Sequence, residues 1–170
     1  MSRIAIIPGD GIGVDVTQEA VKVLGCIAEE AGIALDLVEW NLGAQRYLDT
    51  GVTITPDEMA DLRDNYDAIF LGAMGDARVP DNAHARDILL GIRFQLDLYI
   101  NLRPVQLFDA AMSPLKDVQA QDVDMVIFRE NTEGVYVGMG GNFKKGTPDE
   151  VAIEEDVNTR KGAERIIHAA

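Results

Sequence analysis

Three arginines and one tyrosine are the residues of this chain best suited to chemistry on a small acid. They are Arg93, Arg103, Arg129 and Tyr136, in the phrases GIRFQLDLYINLRPV and FRENTEGVYVG. Arginine can bind a carboxylate through two parallel N–H···O bonds, so several arginines at one site predict a ligand with more than one carboxylate. The pattern therefore favours a small di- or tricarboxylic acid as the substrate.

The ordinary interpretation of each arginine, a solvated surface group, stays open at this point. Arg103 lies in the short apolar run YINLRPVQLF, and Arg129 ends the run VDMVIFRE. A charge in such a run is costly unless a partner or a ligand meets it. Arg129 ends its run, so we expect it at a strand end, where an arginine is placed to face a crevice.

Composition restricts the partners and the location of the protein. The chain has 170 residues, of which 47% are hydrophobic, and its 15 basic and 29 acidic residues give a formal net charge of −14. This charge repels phosphate backbones and anionic lipid, so we expect no nucleic acid and no membrane partner. The single cysteine, Cys26, cannot form an internal disulfide and is expected to be a buried structural thiol. We expect a cytoplasmic location.

Periodicity predicts an α/β chain that begins with a βαβ unit. Apolar residues at helical spacing, among them Val16, Val23 and Ile27, predict the first helix, and Thr55 with Glu58 forms a capping box. We predict strands at residues 3–7, 33–40 and 67–73, and helices at residues 14–31 and 56–65. The phrase PGDGIG lacks the third glycine of a Rossmann fingerprint, so we predict a tight strand-to-helix turn there.

A further helix, beginning near Ala83, is predicted to carry part of the site. Its residues Arg86, Leu89, Leu90 and Arg93 are three and four apart, so they share one face. Two cations beside two leucines suit the binding of a carboxylate next to an apolar substituent.

The pattern changes to strands from residue 101 onward. We predict them in NLRPVQLF, VDMVIFRE, the glycine-rich VYVGMGGNFKKG and EVAIEEDV, before a closing helix. This shift predicts a domain crossing near residue 100, with a first α/β domain over 1–100 and the start of a second over 101–170.

Four phrases in order also resemble a known family. IAIIPGDGIGVDV, IR…LDLYINLRPV, VIFRENTEGVYVG and EDVNTRKGAERI look like the amino-terminal half of the decarboxylating dehydrogenases that act on isopropylmalate, isocitrate, homoisocitrate, tartrate and D-malate. The resemblance implies an α/β fold of the two-domain isopropylmalate dehydrogenase type, which is not a Rossmann fold, with only its amino-terminal part here. The closing helix lacks a terminating Gly, Asn or Pro, so we expect a fragment that is inactive alone.

The resemblance also implies cofactors and roles. The cofactors would be NAD and Mg²⁺ or Mn²⁺, with metal aspartates and a partner lysine beyond Ala170. Tyr136 would donate and accept a proton at the carbon left after decarboxylation, against the ordinary interpretation of a β-strand aromatic. Part of the nicotinamide contacts would come from Gly72, Ala73, Gly75 and Asp76. A homodimer is implied, with an intersubunit arm at about 136–156.

Substrate choice is left with alternatives. Leu89 and Leu90 favour the aliphatic substituent of 3-isopropylmalate, a precursor in leucine biosynthesis. Arg86 suits an extra carboxylate, as in homoisocitrate, and the phrase RENTEGVYVG looks closer to the isocitrate, homoisocitrate and tartrate branches of the family. D-malate stays open as a further alternative. A different class stays open as well, a non-catalytic truncated homologue or subunit that binds carboxylate without turnover.

Overall fold

The computed structural model describes all 170 residues, which form two compact units, Met1–Leu96 and Asp97–Ala170. The first unit contains β1 (Ser2–Ile7), α1 (Ile12–Ala31), β2 (Leu35–Glu39), α2 (Ala44–Thr50), α3 (Pro56–Asn65), β3 (Ala68–Leu71) and α4 (Ala83–Gln95). Its three strands form a parallel sheet in the order β2-β1-β3. The central strand ends in the buried run Ala5 to Ile7, as expected for a strand covered on both sides. The predicted βαβ start is confirmed.

The core of this unit joins the central strand to two helices. Its buried residues are Ala5, Ile7, Leu42, Met59, Leu62, Ile88 and Ile92. On α4 the buried residues His84, Ile88 and Ile92 are four apart, so they form one side of the helix. This side fixes how α4 is rotated against the sheet.

The apolar stripe of α1 lies at the surface. Val16, Val23 and Ile27 are 49%, 58% and 55% exposed, and only Gly13 and Thr17 of this helix are buried. Cys26 is also exposed, so the expectation of a buried thiol was wrong. The half-buried residues Ala20, Val21, Leu24 and Ala28 continue from Thr17 at spacings of three and four, so the covered face of α1 lies beside Val16, Val23 and Ile27.

Helix α3 occupies the predicted residues and carries the predicted capping box. Glu58 N donates to Thr55 Oγ1 at 3.2 Å, and Thr55 N donates to Glu58 Oε2 at 2.9 Å. Arg46, on the unpredicted helix α2, donates to both oxygens of Glu58 at 2.6 and 2.9 Å. These hydrogen bonds from Arg46 hold the pKa of Glu58 below its ordinary value of 4.5. Glu58 therefore both caps α3 and joins it to α2.

Replacing Glu58 by glutamine is expected to lower the free energy of unfolding by about 1–3 kcal/mol at neutral pH. The change weakens both the paired hydrogen bonds from Arg46 and the capping box with Thr55. Since folding lowers the pKa of this carboxyl, its contribution is complete above pH 4.5 and is lost as the pH falls through the folded-state pKa. Denaturant unfolding at several pH values measures this. Asp57→Asn removes the same charge in the same helical turn and is the control. An equal loss in both variants, or a pH-independent difference, would contradict the prediction.

The second unit consists of two antiparallel strand pairs and one helix. Its elements are β4 (Ile100–Gln106), β5 (Asp124–Glu130), β6 (Gly140–Phe143), β7 (Val151–Glu154) and α5 (Arg160–Ala169). β4 pairs with β5 and β6 pairs with β7, while α5 packs against β5. Val135–Val137 is a short 3₁₀ turn, so the strand predicted there begins only at Gly140. Gly134 and Gly138 flank this turn with φ of 78° and 66°, values that break a strand.

No helix of the chain combines the length and the apolar character that crossing a membrane requires.

Candidate active site

Pairing of β4 with β5 places two of the predicted arginines on one face. Asn101 lies opposite Arg129, and Arg103 lies opposite Ile127. Opposite residues and residues two apart point to the same side of a sheet, so Arg103 and Arg129 share a face with Asn101. The Nε atom of Arg103 donates to Asn101 Oδ1 at 2.8 Å. Arg103 lies in the middle of β4, and Arg129, predicted at the end of its strand, is the second-last residue of β5.

Tyr136 lies against one of these arginines. The guanidinium carbon of Arg129 is 5.2 Å from the centroid of the Tyr136 ring, within the range of a cation–π contact. Both side chains are half-buried. They border a cleft of about 260 Å³ that is lined by Arg129, Glu130, Glu133, Gly134, Val135, Tyr136, Asp156 and Asn158. One cation, Arg129, and the Tyr136 phenol therefore border the same cleft, together with the carboxylates of Glu130, Glu133 and Asp156.

Glu130 fixes the loop that leads from β5 to Tyr136. Its carboxylate accepts from Thr132 N at 2.8 Å, from Glu133 N at 2.7 Å and from Arg165 Nη2 at 2.7 Å. Burial acts to raise the pKa of Glu130, but the hydrogen bonds from Thr132 and Arg165 outweigh it and hold the pKa below 4.5. Arg165 also stacks over the Tyr99 ring, 4.4 Å from its centroid. The loop is thus anchored where it leaves the strand.

Glu133 anchors the same loop to α5. It accepts from the backbone N–H of Thr159 at 2.8 Å and from the Thr159 hydroxyl at 2.5 Å. A Cβ at Gly162 would lie 2.2 Å from Glu133 Oε2, so only glycine fits there without a shift. Sequence reasoning missed Glu130, Glu133 and Arg165, since the hydrogen bonds that join this loop to Thr159 and Arg165 span 26 to 35 residues and no local pattern indicates them.

Helix α4 carries the other predicted site residues in the first unit. Leu89, Leu90 and Arg93 are half-buried, and Arg86 is exposed. Arg86, Leu90 and Arg93 lie on the side of α4 that carries no buried residue, whereas Leu89 is four and three residues from the buried Ala85 and Ile92. Arg93 belongs to the first unit, whereas Arg103, Arg129 and Tyr136 belong to the second.

The loop after β3, residues 72–76, is held by its own polar groups. Gly72 N donates to Ile7 O at 2.8 Å, and a Cβ at Gly72 would lie 2.0 Å from Pro8 O. Ala73 O accepts from Asp10 N at 2.8 Å, and Gly75 N donates to an Asp10 carboxylate oxygen at 3.0 Å. Close packing against the turn after β1 therefore explains why residue 72 is a glycine. The N–H groups of Gly72 and Gly75 already have hydrogen-bond partners.

Asp76 ends this loop as an ionised group. Arg78 donates to its carboxylate from Nε and Nη2, which lowers the pKa of Asp76 to about 2. Asp76 N donates to Asn82 Oδ1 at 3.0 Å. The loop thus carries an ionised carboxylate that is paired with Arg78, and the N–H groups of Gly72, Gly75 and Asp76 already have partners. No group of three or more His, Cys, Asp or Glu side chains that could hold a metal ion gathers in the chain.

Curated relatives identify the kind of protein. The chain matches the family model described as "Isocitrate/isopropylmalate dehydrogenase" over residues 3–170. It is 47% identical over 168 residues to a 3-isopropylmalate dehydrogenase of Thermobifida fusca, covering 99% of this chain and 47% of that protein. It is also 47% identical to the protein of the same name from Corynebacterium kroppenstedtii, covering 99% and 48%. The chain spans about half the length of the curated relatives it matches.

Solved structures agree in fold. An isocitrate dehydrogenase from Methylococcus capsulatus is similar with a TM-score of 0.78 and 31% identity over 99% of this chain and 46% of that one. A β-decarboxylating dehydrogenase from Thermococcus kodakarensis has a TM-score of 0.65 and 31% identity over 99% and 44%. The α/β fold predicted from the resemblance is confirmed. The chain belongs to the isocitrate/isopropylmalate dehydrogenase family.

Proposed function

We propose that the protein carrying this chain oxidises and decarboxylates a substituted malate with NAD, and that its substrate is 3-isopropylmalate in leucine biosynthesis. The observation that carries the proposal is the shared face of Arg103 and Arg129, with the Tyr136 ring 5.2 Å from the Arg129 guanidinium. Two cations and a phenol at one surface suit a carboxylate-bearing substrate that must receive a proton. Relatives that are named 3-isopropylmalate dehydrogenase support the substrate.

The arginines bind and orient the substrate in this proposal. Arg103 and Arg129 form forked hydrogen bonds to substrate carboxylates, and Arg93 on α4 is assigned by itself as a substrate-binding residue. Oxidation of the hydroxyl gives a ketone beside a carboxylate-bearing carbon. Loss of carbon dioxide then leaves an enolate, whose carbon takes a proton from the Tyr136 hydroxyl. A base outside these residues returns a proton to Tyr136.

Cofactor and metal complete the proposal. NAD would accept the hydride and Mg²⁺ or Mn²⁺ would stabilise the enolate oxygen when bound. We assign part of the nicotinamide surface to Gly72, Ala73, Gly75 and Asp76, through atoms other than the N–H groups that already have partners. The metal ligands are assigned to residues outside this chain.

A homodimer is proposed from the β6–β7 hairpin. Every residue of both strands is exposed, including Phe143 at 66% and Ile153 at 56%. A two-stranded ribbon is marginally stable by itself, so it needs a neighbour on its apolar side. We assign residues 136–156 as an arm that packs on a second copy in the cytoplasm. We further assign 1–100 to a first domain and 101–170 to the start of a second.

The substrate is tested by NADH formation in the complete gene product with Mg²⁺. We expect 3-isopropylmalate to react faster than isocitrate, homoisocitrate, tartrate and D-malate. Leu90→Asn makes the expected apolar contact polar, so it should lower kcat/KM for 3-isopropylmalate by about tenfold or more. Because D-malate lacks the isopropyl group, its kcat/KM should change much less in this variant.

Other outcomes select the other functions. Preference for a tricarboxylate that is lost in Arg86→Ala would make Arg86 the specificity residue. No turnover of any of these acids would support a non-catalytic homologue or subunit.

A further inference from the structure

Asp10 is a buried carboxylate that lies outside the residues assigned above. Its side chain is 7% exposed and accepts three hydrogen bonds, from Ala44 N at 2.6 Å, Gly75 N at 3.0 Å and His84 Nε2 at 2.8 Å. A buried carboxylate is costly unless donors meet it. These three donors come from the start of α2, the loop after β3 and the first turn of α4. One side chain therefore joins three segments of the first unit.

His84 contributes through this hydrogen bond rather than through packing alone. It is fully buried, and a carboxylate only accepts, so Nε2 carries the hydrogen that Asp10 accepts. The other ring nitrogen, Nδ1, is buried without a hydrogen-bond partner, which costs stability. A leucine of similar size would fill the same space without that cost. What histidine adds at this position is the bond to Asp10, together with a stacked contact on the Tyr47 ring, 6.1 Å between centroids.

The same contacts connect the two proposed binding elements of the first unit. Gly75 is bonded to Asp10, and the next residue, Asp76, is bonded to Asn82 at the start of α4. His84 is the first residue on the buried side of α4, so its position sets the rotation of this helix. That rotation in turn determines where Leu90 and Arg93 lie.

We propose that Asp10 and His84 are positioning residues that couple the loop 72–76 to α4. Neither residue touches substrate; they hold the proposed cofactor surface and the proposed substrate helix in one fixed relation. The inference rests on the proposed function for its kinetic consequence, whereas the coupling itself is a property of the fold.

The test compares His84→Leu with His84→Gln in the complete gene product, with Ile92→Val as control. Leucine removes the donor, glutamine retains a side-chain N–H, and Ile92→Val weakens the same buried side of α4 without touching a hydrogen bond. We expect His84→Leu to speed amide exchange at Gly75 and to raise KM for NAD, each by about tenfold, because a hydrogen bond to a charged group is lost. His84→Gln should restore both quantities, and kcat should change less than KM.

Other results would overturn the coupling. If amide exchange at Gly75 is unchanged in His84→Leu, His84 contributes only packing. The same conclusion follows if Ile92→Val changes this exchange equally when the two variants have the same thermal stability. If His84→Leu does not fold, Asp10→Asn tests the coupling from the other side, because its Oδ1 still accepts from Ala44 N while an Nδ2 group faces both Gly75 N and His84 Nε2. Amide exchange should then speed up at Gly75 and in the first turn of α4, and a change confined to Gly75 would overturn the coupling. An absence of NADH formation with every acid would sink the proposed function, yet Gly75 exchange would still decide the coupling.

Discussion

Arg129→Ala is expected to lower kcat/KM for the proposed substrate by a factor on the order of 10³, because a forked, charge-assisted contact to a carboxylate is removed from a half-buried site. The loss is large for a second reason. The Arg129 guanidinium lies 5.2 Å from the Tyr136 ring centroid, so its removal also withdraws the contact that orients the phenol. Steady-state kinetics on the complete gene product measure the effect.

Two further variants separate this role from a general effect of charge. Arg129→Lys keeps the cation but cannot form the fork, so we expect it to recover only part of the activity. Arg160→Ala removes a positive charge from a side chain that is 90% exposed, and it should leave kcat/KM nearly unchanged. If Arg129→Ala and Arg160→Ala behaved alike, Arg129 would not bind substrate.

Local signals in the sequence predicted local structure well. Helix α3 begins at Pro56 and ends at Asn65 as predicted, because Thr55, Pro56 and Glu58 determine its first turn through contacts at most three residues apart. The tight turn after β1 was also predicted, from glycines that precede a helical pattern. The structure adds the reason for two of them: a Cβ at Gly9 or Gly13 would lie 2.1 or 2.2 Å from Ala73 O.

Contacts between distant residues could not be predicted in this way. Alternation along β4 and β5 indicates the two faces of each strand, but only the register of Asn101 with Arg129 shows that Arg103 and Arg129 share a face. The same limit applies to Asp10 and His84, which are 74 residues apart and have no common motif. Helix α2 was missed because its seven residues are too few for a clear periodicity.

Burial was predicted least well where the pattern was strongest. The stripe on α1 has a clear helical period, yet Val23 and Ile27 are more than half exposed, and Cys26 beside them is exposed too. A period shows which residues share a face but not what covers that face. The same holds for α4, where the period groups Arg86, Leu90 and Arg93, and only the core residues show which side they occupy.

Tyr136→Phe is expected to lower kcat by about 10²–10⁴-fold, the usual contribution of a positioned proton donor, with little change in KM. Phenylalanine keeps the ring that packs against Arg129, so substrate binding should persist while the hydroxyl proton is lost. A solvent isotope effect on kcat should increase in the variant, because protonation of the enolate then limits the rate.

Tyr99→Phe provides a control of the same chemistry at another position. The Tyr99 ring lies 4.4 Å from the guanidinium carbon of Arg165, so this substitution also removes a hydroxyl from a tyrosine in contact with an arginine. Tyr99→Phe should change kcat by no more than about twofold, as substitutions away from a reacting centre do. A comparable fall in both variants would point to destabilisation of the second unit. Both variants remove a hydroxyl from a tyrosine whose ring contacts an arginine. A fall in kcat that is confined to Tyr136→Phe would therefore identify the Tyr136 hydroxyl as the proton donor.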